Sequence, residues 1–220
     1  MLELRPYRPA DRAAVYEICV RTADAGADAT GQYSSDDLMP DVYAGPYLEY
    51  APELATLVVD RPDAGQGESA QGESAPERVL GYIIAAADTR DFVRWYGERW
   101  LPRFAERYAP AGEPASVSAA ERTVIAAGLH PEAPPADELA AFPAHLHINL
   151  LPETQGLGLG RTLIATLLAQ LRALGVSGVH LGYAPLNSGA AAFYARLGFR
   201  PLPSGSEQAP RVGISTAAEL

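Results

Sequence analysis

Residues 150–175 read LLPETQGLGLGRTLIATLLAQLRALG. An apolar run ends at Pro152, and glycines at 156, 158 and 160 alternate with leucine. Apolar residues then recur at Leu163, Ile164, Leu167, Leu168 and Leu171, the period of a helix with one buried stripe, which Gly175 closes. The run ahead of the glycines, AHLHINLL, alternates, with Leu146, Ile148 and Leu150 on one face and His145, His147 and Asn149 on the other. A strand that passes through glycines straight into a helix commits the chain to an α/β architecture. It also leaves the first N–H groups of that helix, at the positive end of its dipole, in an open turn. Glycines there let an anion reach the amides without meeting side chains, so the junction reads as a phosphate or pyrophosphate site. A tight turn without a ligand is the alternative.

Around this junction the pattern is mixed. LELR is a short strand, and PADRAAVYEICVRTA carries Ala14, Val15, Ile18 and Cys19 at helical spacing. DAGADATGQYSSDDL reads as a loop or broken helix, and MPDVYAGPYLEYAPE as an aromatic-rich stretch with Gly-Pro turn chemistry. LATLVVD and RVLGYIIAAAD are strands; residues 61–78 between them, with the repeat QGESAQGESA, read as a flexible hairpin loop. Residues 89–143 form a helical insertion in which Trp95 and Trp100 sit near helical spacing as core residues. VSGVHLGY is a strand, NSGAAAFYARLGF a helix capped by Asn187, and FRPL and RVGIS are final strands. The expectation is one domain over residues 1–220: a central mixed, mostly antiparallel sheet with helices on both faces and the insertion between its third and fourth strands.

Spacing separates three readings of the glycines. The dinucleotide pattern Gly-x-Gly-x-x-Gly puts its third glycine where Arg161 or Leu163 stands. The Walker loop needs a lysine, and all seventeen basic residues here are arginine. The third pattern, [Gln/Arg]-x-x-Gly-x-[Gly/Ala], is met at every position from Gln155 to Gly160. That pattern is the coenzyme A loop of the GNAT acyltransferases, which this chain resembles. INLLPETQGLGLGRTLIATLL looks like the strand, turn and long helix of that family, NSGAAAFYARLGF like its next helix, and LELRPYRPADRAAVYEI like its usual opening. RPYRPADRAAVYEICVRTADAGADATGQYS, VYAGPYLEYAPELA and DTRDFVRWYGERWLP are further similar to the acetyltransferase-like C-terminal domain of the eukaryotic O-GlcNAc hydrolase and its free-standing bacterial relatives.

The resemblance implies a GNAT fold, acetyl-CoA as co-substrate and an amine acceptor. It implies that the amides from Gly156 through Leu157, Gly158 and Gly160 to Arg161 hold the pyrophosphate, with Arg161 adding charge and Gln155 ordering the loop. The backbones of Leu150 and Leu151 would pair with the pantetheine arm like an added strand, one N–H polarising the thioester carbonyl. Asn187 and Tyr194, two helical turns apart, share a face. Tyr194 resembles the family's general acid: a phenol of pKa about 10 can protonate a thiolate whose thiol has pKa about 8–9. Asn187 would also bind the pantetheine amides. The base is open among His145, His147, Asp24, Asp28 and Asp88. A bulge near Asn149 would change which strand face meets the substrate. The aspartates could instead bind a cationic substrate.

Other classes are excluded or weakened. Without lysine there is no Schiff-base chemistry. The pair His145/His147 lacks a visible third ligand, so no metal is expected. A net charge of −10 argues against nucleic acid. No apolar run approaches the ~18 residues of a membrane span, and the N-terminal stretch does not read as a signal peptide. The lone Cys19 rules out an internal disulfide and suits a reducing compartment, so a cytoplasmic protein is expected. Two functions compete: an N-acetyltransferase working by direct attack, and a CoA-binding module that recognises a partner without turnover. The acceptor is not legible, and a homodimer stays open.

Overall fold

The computed structural model describes residues 1–61, 77–109, 117–131 and 133–220. The strands β1 (Leu2–Pro6), β2 (Thr56–Asp60), β3 (Arg78–Ala86), β4 (Ala144–Leu150), β5 (Gly178–Gly182), β6 (Arg200–Pro201) and β7 (Arg211–Ser215) form one sheet. Their order is β1-β2-β3-β4-β5-β7-β6. Every neighbouring pair is antiparallel except β4 and β5, which run parallel. The expected mixed, mostly antiparallel sheet is therefore the observed one. β2 and β3 pair as a hairpin; the connection expected to be a flexible loop, with its QGESA repeat, lies outside the described residues apart from its ends.

The helices α1 (Arg12–Val20), α2 (Leu38–Tyr43) and α3 (Gly45–Tyr50) precede β2. The stretch read as Gly-Pro turns is thus two short helices. Pro46 falls in the first turn of α3, where a missing N–H is no loss. Between β3 and β4 come α4 (Thr89–Trp95), α5 (Leu101–Tyr108), α6 (Ala119–Leu129) and α7 (Ala136–Ala141). A π turn, Tyr96–Trp100, joins α4 to α5; Pro102 just beyond it has no N–H for the carbonyl four residues back. Trp100 is buried, and its indole N–H donates to the Asp41 carbonyl at 2.9 Å. The last helices are α8 (Leu159–Ala173) and α9 (Ser188–Arg196).

The two faces of β4 meet different layers. Asn149 reaches Thr22 beyond α1, His147 reaches Tyr47 of α3, and His145 packs on Phe92 of α4. Leu150, of opposite parity, lies beside Gly160 of α8. In α8 the side chains of Leu163, Ile164, Leu167 and Leu171 are wholly buried, each contributing about 1.5–3 kcal/mol by leaving water. The bulge expected near Asn149 is absent: the β3–β4 register runs unshifted from Ala86↔His145 to Gly81↔Leu150, so no residue is left over to loop out. A register shift lies instead between Val58 and Val59 of β2.

Candidate active site

β4 and β5 pair only at Ala144↔Val179 and His145↔His180. Beyond that point β4 stays with β3, while β5 stays with β7 as far as Gly182↔Arg211. The two halves of the sheet part, and a cleft of about 220 Å³ opens between them. His147 and Asn149 of β4, Thr22, Tyr43, and Asn187 and Tyr194 of α9 are among its lining residues.

Strand parity decides which main-chain groups face the opening. The Leu151 N–H donates to the Leu80 carbonyl at 3.0 Å, on the β3 side. The N–H and C=O of Leu150 therefore face the side that β5 has left. The Leu150 carbonyl there accepts a long hydrogen bond, 3.4 Å, from the Gln155 amide. Leu151 corrects the sequence-based expectation: its N–H is spent on β3 and its carbonyl accepts from the Thr154 N–H and hydroxyl. It has nothing left for an added strand, and of the two only the Leu150 main-chain groups face the side that β5 has left.

The three glycines do two different jobs. Gly156 and Gly158 have φ of 77° and 78°, the left-handed region that side chains rarely enter. Nothing lies within 4 Å of where a Cβ would stand at either. Gly160 is different: a Cβ there would meet the Phe193 ring of α9 at 3.0 Å. The first two shape an open turn, and the third lets α8 and α9 close together. Among the described residues, the N–H groups from Gly156 to Arg161 have no acceptor. Gly158 caps α8 without a side-chain hydrogen bond. Leu157 is exposed, and Arg161, in the first turn, is exposed with no ion pair. The result is a row of donors at a positive helix end, open to an anion.

On α9, the Asn187 side-chain oxygen caps the helix by accepting from the Ala190 N–H at 2.9 Å, leaving the amide NH2 for the cleft. Tyr194 is buried, flanked by Tyr183, Phe193 and Phe199 with ring centroids at 5.8, 5.2 and 5.2 Å. Burial pushes its pKa well up, so the phenol stays protonated. No protein acceptor is recorded for its hydroxyl.

Of the five candidate bases only His147 lines the cleft. His145 is packed away: the Thr89 hydroxyl gives its one proton to the Pro143 carbonyl, so the His145 Nδ1 at 2.8 Å must be the donor to it. Asp28 accepts from the Thr30 N–H and hydroxyl in a local turn, which lowers its pKa. Asp24 is exposed and accepts from the Gln32 amide at 3.3 Å. Asp88 caps α4, accepting from Arg90 and Asp91 N–H groups. Sequence reading missed the roles of Thr22, Asn149 and Tyr183. The Tyr183 position, one residue past β5, is a signal that could have found it, because strand ends border such openings.

Burial lowers the pKa of three histidines. His147 is pushed down to about 4, His145 well below its ordinary value, and His180 down as well. An unfolded histidine binds its proton near pH 6.5, so the unfolded chain holds more protons between about pH 6.5 and 4, and stability falls with pH there. His147 alone then costs about 2 kcal/mol at pH 5, and the other two add to it. We expect thermal unfolding followed by circular dichroism to move down by about 4–8 °C or more from pH 7.5 to pH 5. An unchanged midpoint would contradict the neutral assignment.

Among the described residues, no group of three or more His, Cys, Asp or Glu is placed to hold a metal ion. No helix there is long and apolar enough to cross a membrane.

Comparison with known proteins gives the family. A family model described as the acetyltransferase (GNAT) family matches residues 87–199. Protein O-GlcNAcase of Rattus norvegicus is 25% identical over 195 residues, covering 89% of this chain. The chain spans only about a fifth of that relative's length, 20%. The crystal structure of SsHAT aligns over 99% of both chains with 40% identity and a TM-score of 0.77. The structure of yncA, a putative acetyltransferase from Salmonella typhimurium with its cofactor acetyl-CoA, aligns over 99% of this chain and 95% of its own. Its identity is 14% and its TM-score 0.51.

Proposed function

The chain belongs to the acetyltransferase (GNAT) family, and from that premise we propose that it binds acetyl-CoA in the cleft between β4 and β5 and transfers the acetyl group to an amine by direct attack. One observation carries the reading: the unbonded N–H groups from Gly156 to Arg161 open beside a cleft lined by Asn187 and Tyr194. A diphosphate fits the chemistry of that donor row. The unpaired edge of β4 at Leu150 suits an amide-bearing arm. The acetyl-CoA of the Salmonella neighbour supports the choice of ligand.

The bound co-substrate supplies an activated acetyl group. The chain's own residues do the rest. The loop amides and Arg161 hold negative charge at the mouth. The Leu150 N–H and the Asn187 amide NH2 orient amide and carbonyl oxygens along the cleft. Tyr194 carries a proton that it can give to the departing sulfur. The buried Cys19 thiol, pushed up to about 12, stays protonated and takes no part. We place the protein in the cytoplasm, where such a thiol stays reduced.

A second reading has its own support. No carboxylate is among the residues lining the cleft, which suits a module that binds CoA and recognises a partner without turnover. The two are separated by calorimetry with CoA alongside CoA release from acetyl-CoA over a panel of amines. We expect heat with CoA and release with at least one amine. Heat without release selects the module; no heat removes both.

A further inference from the structure

His147 is the one candidate base in the cleft, yet its partner argues against that role. Its Nε2 lies 3.0 Å from the Tyr47 hydroxyl. Tyr47 is buried, stacked on Phe92 at 4.6 Å, with burial holding its phenol protonated. The Tyr47 proton has no other recorded acceptor. If Nε2 carried the histidine's proton, the Tyr47 oxygen would accept it and the buried phenol proton would be left without an acceptor, which costs its desolvation penalty. The arrangement that satisfies both groups has Tyr47 donating to Nε2, which puts the histidine's proton on Nδ1. No protein partner is recorded for Nδ1, and the residue lines the cleft.

We propose that Tyr47 is a positioning residue that holds His147 as a neutral N–H donor toward an oxygen of the acceptor, and that the amine enters this site already as the free base. This rests on the acetyltransferase reading for its second half only. The surroundings agree. Facing His147 or lining the same cleft are Cys19 of α1, Tyr43 of α2, Tyr47 of α3, His145 of β4, and Tyr183 and Tyr194 on the far side. Burial raises the pKa of the Cys19 thiol and of the Tyr43, Tyr47 and Tyr194 phenols and lowers that of His145, so all five stay uncharged near neutral pH. Among the described residues that line the cleft no side chain is charged to hold an ammonium ion; Asp24, between the lining residues Ala23 and Ala25, is not one of them.

The proton balance then closes without a base other than Tyr194 itself. The amine nitrogen forms its bond to the acetyl carbon and the carbon–sulfur bond breaks. Tyr194 gives its proton to the sulfur and regains one from the nitrogen, so a neutral amine and a thioester become an amide and a thiol with no net proton taken up. An acceptor with an oxygen near its amine, such as an amino-acid amide or a peptide N-terminus, would meet both Tyr194 and the His147 donor.

The tautomer is read directly by long-range nitrogen-15 correlation spectra of the ring, with His147→Gln identifying the signals. We expect the Nδ1–H form to outnumber the other by at least about tenfold. Tyr47→Phe, which keeps the stacking ring, should mix the two forms and let His147 titrate at higher pH. A dominant Nε2–H form in the unaltered protein overturns the proposal whether or not any amine reacts. For the second half, kcat/KM against pH is measured for amines of graded basicity. The rising limb should follow each amine's own pKa. A shared limb between about pH 6 and 8 that ignores the amine, and that Tyr47→Phe shifts, would make His147 a base and overturn it. Absence of turnover with all amines, with CoA still bound, overturns the free-amine half and leaves the tautomer standing.

Discussion

Replacing both Gly156 and Gly158 by alanine is expected to weaken CoA binding by roughly 30- to 700-fold, read as Kd by calorimetry. Each residue has φ near 78°, and forcing an L side chain there costs about 1–2 kcal/mol. The added methyl groups meet no atom within 4 Å, so no clash contributes. The whole effect comes from the backbone, which relaxes away from the turn that aims the amides outward. Gly175→Ala is the control. Gly175 has φ of 76° at the far end of α8, so it carries the same strain and should lower the melting temperature while leaving CoA affinity intact. A double variant that binds CoA like the parent would end the pyrophosphate reading of this loop.

The second large effect is expected from Tyr194→Phe. The variant keeps the ring contacts to Tyr183, Phe193 and Phe199 and loses only the hydroxyl. With no recorded protein partner for that hydroxyl, folding stability should barely change, and CoA should bind as before. A positioned acid contributes about 10²- to 10⁴-fold, so kcat for acetyl transfer should drop by that amount. The loss should shrink when the leaving thiol is more acidic than that of CoA, since such a thiolate needs its proton less. An equal rate in the variant would assign proton delivery to water, and Tyr194 would then be a wall of the cleft and nothing more.

Some of the site was readable because its chemistry is local. The amide turn needs glycine where φ is positive, and the helix behind it needs an apolar residue every three or four positions. Both demands are written in consecutive residues, and the run from Gln155 to Leu171 met them. The N-cap at Asn187 and the Asn187–Tyr194 spacing are equally short-range. The reading stayed open where one residue type serves two ends. Asp88, one of five candidate bases, caps a helix; Asp28, another, closes a turn. A carboxylate's partners, not its identity, decide between these uses, and those partners are backbone N–H groups that composition does not reveal.

What the sequence by itself determined is the order of the strands and the longer helices, and the donor turn: periods of two and 3.6 residues, and glycines that tolerate a left-handed backbone, act over one or two turns of chain. What only the tertiary structure decided is the cleft and the protonation state inside it. Strand β4 parts from β5 because β5 keeps β7, and His147 meets Tyr47 across a hundred positions of sequence. Burial and pairing energies depend on which surfaces meet in space, and no local pattern in the chain carries that information.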